Sequence, residues 1–159
     1  MASVTHSHPR SRACHPRLNA WYGDPGCRYG YSGTRFEPLP WTETLTDIKE
    51  RLTATLGVAF NSMLANRYRD GRDSVAWHSD DEPELGRNPV IASVSLGATR
   101  RFTLKHKSRR DIRPLAVDLT HGSLLVMSGP TQHQWLHQIA KTTRIVGERI
   151  NLTFRYIYQ

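Results

Sequence analysis

Residues Arg149 to Tyr158 read RINLTFRYIY, and the order of residue types in this stretch decides the fold. Ile150, Leu152, Phe154, Tyr156 and Tyr158 fall at every second position, so an extended chain puts them on one face. Arg149, Asn151, Thr153 and Arg155 fall on the other face. A helix would scatter both sets around its axis. The period of two therefore predicts a strand that runs to Tyr158 and is apolar on one side.

Working backwards from this strand, the same pattern recurs. SLLVM (123–127) and LAVDL (115–119) are short apolar runs, with turn chemistry at His121-Gly122 and Gly129-Pro130. TRRFTLKH (99–106) alternates, and VIASVSL (90–96) is a continuous apolar run bounded by Pro89 and Gly97. NSMLANRYRDG (61–71) ends in an Asp-Gly turn signal. One segment is different. Trp41, Leu45, Ile48, Leu52 and Leu56 recur at helical steps, and Gly57 supplies a stop, so one helix is expected here. From Arg17 to Pro40 the density of Gly, Pro and Tyr suggests short strands and turns. Residues 1–16 are polar and aperiodic and read as a flexible tail, leaving 17–159 as one domain. Many short strands, one helix and no βαβ rhythm predict a mainly β protein, a sandwich or jelly roll.

The 159 residues carry a formal net charge of +8, which suits a polyanionic partner without saying whether it is nucleic acid or a membrane surface. No apolar run approaches the ~20 residues of a membrane span, and no secretory pattern opens the chain, so no membrane role is expected. Cys14 and Cys27 read as free thiols in a reducing compartment.

Two patterns carry chemistry. In WHSDDE (77–82), His78 and Asp80 leave the same face of an extended strand, and can fill two corners of a metal. A second histidine would complete the two-histidine, one-carboxylate set of non-haem iron(II) oxygenases. The candidates are His106, His121, His133 and His137. His121 sits in a turn and His106 in a basic cluster, which favours solvent for both. His133 and His137 are four apart and share strand parity, so periodicity leaves the choice between them open. The second pattern is Arg149 and Arg155, separated by roughly 20 Å of extended backbone. Side chains leaning inward from these positions could close around a small dicarboxylate, and the planar fork of arginine binds carboxylate bidentately.

At this point the residues resemble a known family. WHSDDEPELG (77–86), IASVSLGATRRF (91–102), HGSLLVM (121–127), WLH (135–137) and RINLTFR (149–155) closely resemble the AlkB family, in order and at compatible spacings, within a match running from about Pro16 to Tyr158. The likeness is greatest to the second- and third-homologue subgroup, which repairs alkylated DNA and RNA. It implies a double-stranded β-helix. It implies His78, Asp80 and His137 as ligands of Fe(II), and contacts to the cosubstrate 2-oxoglutarate from Asn66, Tyr68, Arg149, Asn151 and Arg155. Of the two arginines, Arg149 resembles the one that meets the far carboxylate, and Arg155 the one nearer the metal.

The resemblance further implies a base pocket formed by Tyr29, Tyr31 and Asp81, with Tyr31 the platform for an extruded base. The function implied is oxidative dealkylation of bases such as 1-methyladenine and 3-methylcytosine. It consumes O2 and 2-oxoglutarate and releases formaldehyde, succinate and CO2. The expected partner is single-stranded alkylated DNA or RNA, and the expected setting a cytoplasmic monomer, or a nuclear one in a eukaryote. In this context the basic run Arg100, Arg101, Lys105, Lys107, Arg109 and Arg110 is expected to contact the phosphate backbone.

The pattern departs from the family in two places. Relatives of this type carry more sequence before the segment like PRLNAWYG, so a truncated or minimal catalytic core is expected. The loop from Ser108 to Arg113 is also shorter. Two rival readings are the same metal core acting on a protein or small molecule, and a catalytically silent nucleic-acid-binding β-domain. The tyrosines, Asp81 and the net charge weigh against the first, and the ligand and arginine sets weigh against the second.

Overall fold

The computed structural model describes residues 16–27, 29–31 and 34–158. Its core is two facing antiparallel sheets. The larger has the order β1 (Leu18–Gly23), β4 (Ser62–Tyr68), β11 (Arg149–Arg155), β6 (Ile91–Gly97), β9 (Ser123–Met127). The smaller has the order β5 (Val75–His78), β10 (Trp135–Ile139), β7 (Arg100–His106), β8 (Leu115–Leu119). A separate hairpin pairs β2 (Tyr29–Tyr31) with β3 (Thr34–Phe36). From β4 onward the chain passes repeatedly from one sheet to the other, which winds the two sheets into the expected double-stranded β-helix. No helix among the described residues is long and apolar enough to cross a membrane.

The helix predicted from Trp41 onward is α1 (Glu43–Leu56). Trp41 itself precedes it. Thr42 is the N-cap and accepts a hydrogen bond from the Leu45 N–H at 3.3 Å, and Gly57 closes the helix in the left-handed conformation. Leu45, Ile48, Leu52 and Leu56 pack on the outer face of the larger sheet, against Met63, Ala92, Leu152 and Phe154. Trp41 lies parallel to the Phe154 ring, with centroids 6.2 Å apart. The apolar face of RINLTFR is therefore covered by α1.

Its polar face is also buried, pointing into the space between the sheets. One end of that space is filled by an apolar cluster to which both sheets contribute: Tyr68, Ile91 and Met127 from the larger, Phe102, Leu119 and Ile139 from the smaller. The rest of it holds the polar residues of β11.

The strand ends earlier than its pattern suggests. Arg155 pairs with Ser62, the first residue of β4, so no neighbour continues the ladder. Beyond it the Asn61 side chain takes over, accepting from the Ile157 N–H and donating to the Ile157 carbonyl. Ile157 is thereby buried, while Tyr156 and Tyr158, expected on the apolar face, are exposed.

Gly97 ends β6 at φ +86°, and a Cβ there would collide with the Glu148 carbonyl oxygen, which already accepts from the Ala98 N–H at 2.8 Å. Replacing Gly97 by alanine adds left-handed strain to a backbone clash, together roughly 2–5 kcal/mol. Urea unfolding of the variant should show a loss of that size, and wild-type stability would contradict the turn geometry.

Candidate metal and cosubstrate site

His78 closes β5, and the antiparallel register sets it directly opposite His137 on β10. Their ring centroids are 4.2 Å apart. Asp80, two residues beyond His78, turns back so that its Oδ1 lies 3.5 Å from His78 Nε2. Atoms able to bind a metal, one from each of these three side chains, all lie within 4.8 Å of one another.

The protonation states suit metal binding. His78 Nδ1 lies 2.8 Å from the Ala76 carbonyl, an acceptor, which leaves Nε2 as the nitrogen facing Asp80. Burial pushes the His137 imidazole down to about 4 against the opposing pull of Asp80, which leaves it neutral at ordinary pH. Burial alone would raise Asp80. The Arg155 guanidinium, foremost among the groups facing it, outweighs that effect and holds its carboxyl below the usual range. Arg155 Nη2 is 3.4 Å from Asp80 Oδ2.

The other candidate histidines are elsewhere. His133 sits in a short helical turn, α2 (Thr131–Gln134), and its Nε2 meets the Arg87 carbonyl. Nδ1 of His106 accepts from the Ser108 and Arg109 N–H groups, and Nδ1 of His121 from the Gly97 N–H.

The cavity beside this cluster is lined by Asn66, Tyr68, Arg149, Asn151 and Arg155 as well as the three metal-binding side chains. Register explains the grouping. Arg149 pairs with Tyr68 and Asn151 with Asn66 across to β4, so the side chains of both strands rise from the same face. On the other flank β6 supplies two serines. Ser95 Oγ accepts from Arg149 Nη2 at 2.9 Å, and Ser93 Oγ accepts from Asn151 Nδ2 at 2.8 Å.

Arg149 is the decisive side chain. It is only 1% exposed, its guanidinium lies 5.1 Å from the Tyr68 ring centre, and its Nε and Nη1 have no hydrogen-bond partner. Burial lowers its pKa. A buried cation with two idle donors is costly unless an anion completes it. Arg155 Nε is likewise buried without a partner. The donor set thus fits a small diacid: one carboxylate at Arg149, the other end beside Asp80, Arg155 and the histidines.

Several expected residues fall outside this grouping. Tyr29 and Tyr31 lie on β2 by backbone, but their side chains are outside the described residues. Asp81 is exposed and paired with Lys107 at 2.9 Å, which more than offsets the upward push of its partial burial and lowers its pKa. Arg100, expected on a phosphate backbone, is instead buried and donates to the carbonyls of Asp70, Asp73 and Ala140. That placement removes it from any outer surface. Arg101 pairs with Asp118 and Arg109 with Asp111, both in the open, and Lys105 lies over the Trp77 ring. Arg110 is exposed.

Four residues at the site were not singled out by the sequence. Ser93 and Ser95 had a readable signal, since they alternate with apolar residues inside IASVSLG. Arg17, whose Nε donates to Asn66 Oδ1 at 2.7 Å, had none. Neither had Gln132, whose side-chain oxygen accepts from the Asp80 N–H at 2.9 Å.

The pattern that defines the 2OG-Fe(II) oxygenase superfamily matches residues 2–155. The rat protein named alpha-ketoglutarate-dependent dioxygenase alkB homolog 3 is 46% identical over 151 residues, covering 90% of this chain and 50% of the rat protein. The mouse protein named DNA oxidative demethylase ALKBH2 is 43% identical over 148 residues, covering 89% of this chain and 62% of the mouse protein. The chain thus spans about half the length of the curated relatives it matches. The solved structure of OsALKBH1 superposes with a TM-score of 0.61 at 22% identity, over 93% of this chain and 83% of that one, which shows a shared fold.

Proposed function

This chain belongs to the 2OG-Fe(II) oxygenase superfamily, and from that premise we propose that it oxidatively removes alkyl groups from nucleic-acid bases. One observation carries the reading: a single cavity contains both the His78, Asp80 and His137 cluster and the buried, unsatisfied Arg149. The first is suited to a metal and the second to the far carboxylate of 2-oxoglutarate. The names of the rat and mouse relatives support the nucleic-acid half of the reading, and so does the net charge of +8.

Fe(II), with 2-oxoglutarate and O2, supplies the oxidising chemistry when bound, and formaldehyde, succinate and CO2 are the products expected from a methylated base. The chain's own residues do the rest. His78 and His137 would offer imidazole nitrogens and Asp80 a carboxylate oxygen to the metal. Arg149, Asn66 and Tyr68 take the far carboxylate, while Arg155 and Asn151 hold the nearer end. Phe102 lies 5.2 Å from the His137 ring, centre to centre, and fixes its orientation. Phe102, Leu119 and Ile139 give the cavity apolar walls that limit water. Tyr31 and Tyr29 receive the base, and Asp81 favours a cationic, alkylated one. The partner proposed is single-stranded DNA or RNA bound by a monomer, with Arg101, Lys105, Lys107, Arg109 and Arg110 near the phosphates.

A methylated single-stranded oligonucleotide should stimulate 2-oxoglutarate decarboxylation at low salt. Tyr31→Ala should lose most of that stimulation and keep the slow reaction expected without substrate. An unpaired base avoids the few kcal/mol of extrusion, and stacking on an aromatic is worth ~1–3 kcal/mol, roughly tenfold or more in occupancy. Stimulation by a peptide or small molecule, with none by the oligonucleotide, would transfer the activity to another substrate class.

A further inference from the structure

We propose that Gln132 is a positioning residue of the metal site, holding the backbone of Asp80 so that its carboxylate meets His78 and His137. The inference rests on the reading that these three side chains hold the metal. Asp80 lies beyond the end of β5, where no ladder fixes the chain. Its N–H donates instead to the Oε1 of Gln132 at 2.9 Å, across 52 residues of sequence. Gln132 is fully buried, and its orientation is set at the other end of the amide, where Nε2 donates to Met127 Sδ at 3.4 Å. Its turn is anchored as well. The Gln132 carbonyl accepts from Lys107 Nζ, and the Gln134 carbonyl from the Lys107 N–H.

The chemistry singles out the side-chain oxygen. A methionine or leucine could fill the same volume with no polar group to satisfy. Either would leave the buried Asp80 N–H without an acceptor and free the chain at Ser79, between His78 and Asp80, to turn. Outer-shell partners of metal ligands act by orientation, and losing one typically weakens metal binding 10- to 100-fold.

The test uses Co(II) as the probe, titrated into the metal-free protein and read by its visible absorption bands. Gln132→Met should weaken Co(II) binding roughly 10- to 100-fold and shift the bands. Gln132→Glu, which keeps an oxygen at the same reach, should restore the wild-type band pattern. In the metal-free wild type, the Asp80 amide proton should exchange as slowly as the ladder amides of β10. A folded Gln132→Met protein with wild-type Co(II) affinity and bands overturns the proposal, as does fast exchange at Asp80, which needs no variant. A purely structural role would lower the melting temperature and leave the Co(II) spectrum untouched. A wild-type protein that binds no Co(II) would instead defeat the underlying metal-site reading.

Discussion

Replacing Arg149 with methionine should raise the KM for 2-oxoglutarate roughly 10- to 150-fold, while costing the metal-free protein little or no stability. The first figure follows from a charge-assisted carboxylate bond, about 1.5–3 kcal/mol, at 1.4 kcal/mol per factor of ten. The second follows from the state of the arginine before any diacid binds. Its cation is buried, its pKa is lowered by that burial, and Nε and Nη1 are idle. Ser95 and Tyr68 engage it. Methionine fills a similar volume without a charge to desolvate, a change that is often neutral or stabilising in a protein interior. Steady-state kinetics and thermal unfolding without cosubstrate would test both halves. A destabilised variant with an unchanged KM would make Arg149 a structural residue and remove the diacid site.

Alanine at Asp80 or His137 should abolish turnover and metal uptake, whereas His133→Ala should leave both near wild type. Asp80 is ionised, buried and flanked by Arg155, so its loss removes a ligand and leaves a buried guanidinium less compensated. His137 is a buried, neutral imidazole opposite His78 in register. His133 is exposed in α2, and surface substitutions of that kind usually stay within about 0.5 kcal/mol. Turnover assays and metal content of the purified variants would check this. An inactive His133→Ala beside an active His137→Ala would overturn the ligand assignment.

These two histidines show where sequence periodicity stops. Four residues apart, they share parity on any continuous strand. The chain inserts one helical turn at Thr131–Gln134, so only His137 lies on a strand. Nothing in the alternation announces that turn, and the family likeness in WLH was what selected His137. RINLTFR was legible in its two faces but not in their surroundings. A period of two separates apolar from polar residues, yet it is silent on whether the polar side meets water or a cavity. Here α1 covers one face and the smaller sheet the other. The end of the strand was invisible because it depends on where β4 begins.

Arg100 is a different kind of miss, because a signal was present. It shares strand parity with Phe102, and in β7 both are buried while Arg101 between them is exposed. Reading the basic run as one cluster concealed that alternation. Gln132 had no such signal. Its role depends on a contact with Asp80 made only when α2 packs beneath the end of β5.

The most direct measurement of base dealkylation is mass spectrometry of a single-stranded oligonucleotide carrying 1-methyladenine or 3-methylcytosine, incubated with the protein, Fe(II), 2-oxoglutarate and air. The oligonucleotide should lose the mass of the methyl modification, one formaldehyde should appear for each base restored with at least as much succinate, and omitting iron or 2-oxoglutarate should stop the reaction. An unchanged oligonucleotide, in the presence of active 2-oxoglutarate decarboxylation, would contradict the proposed dealkylation.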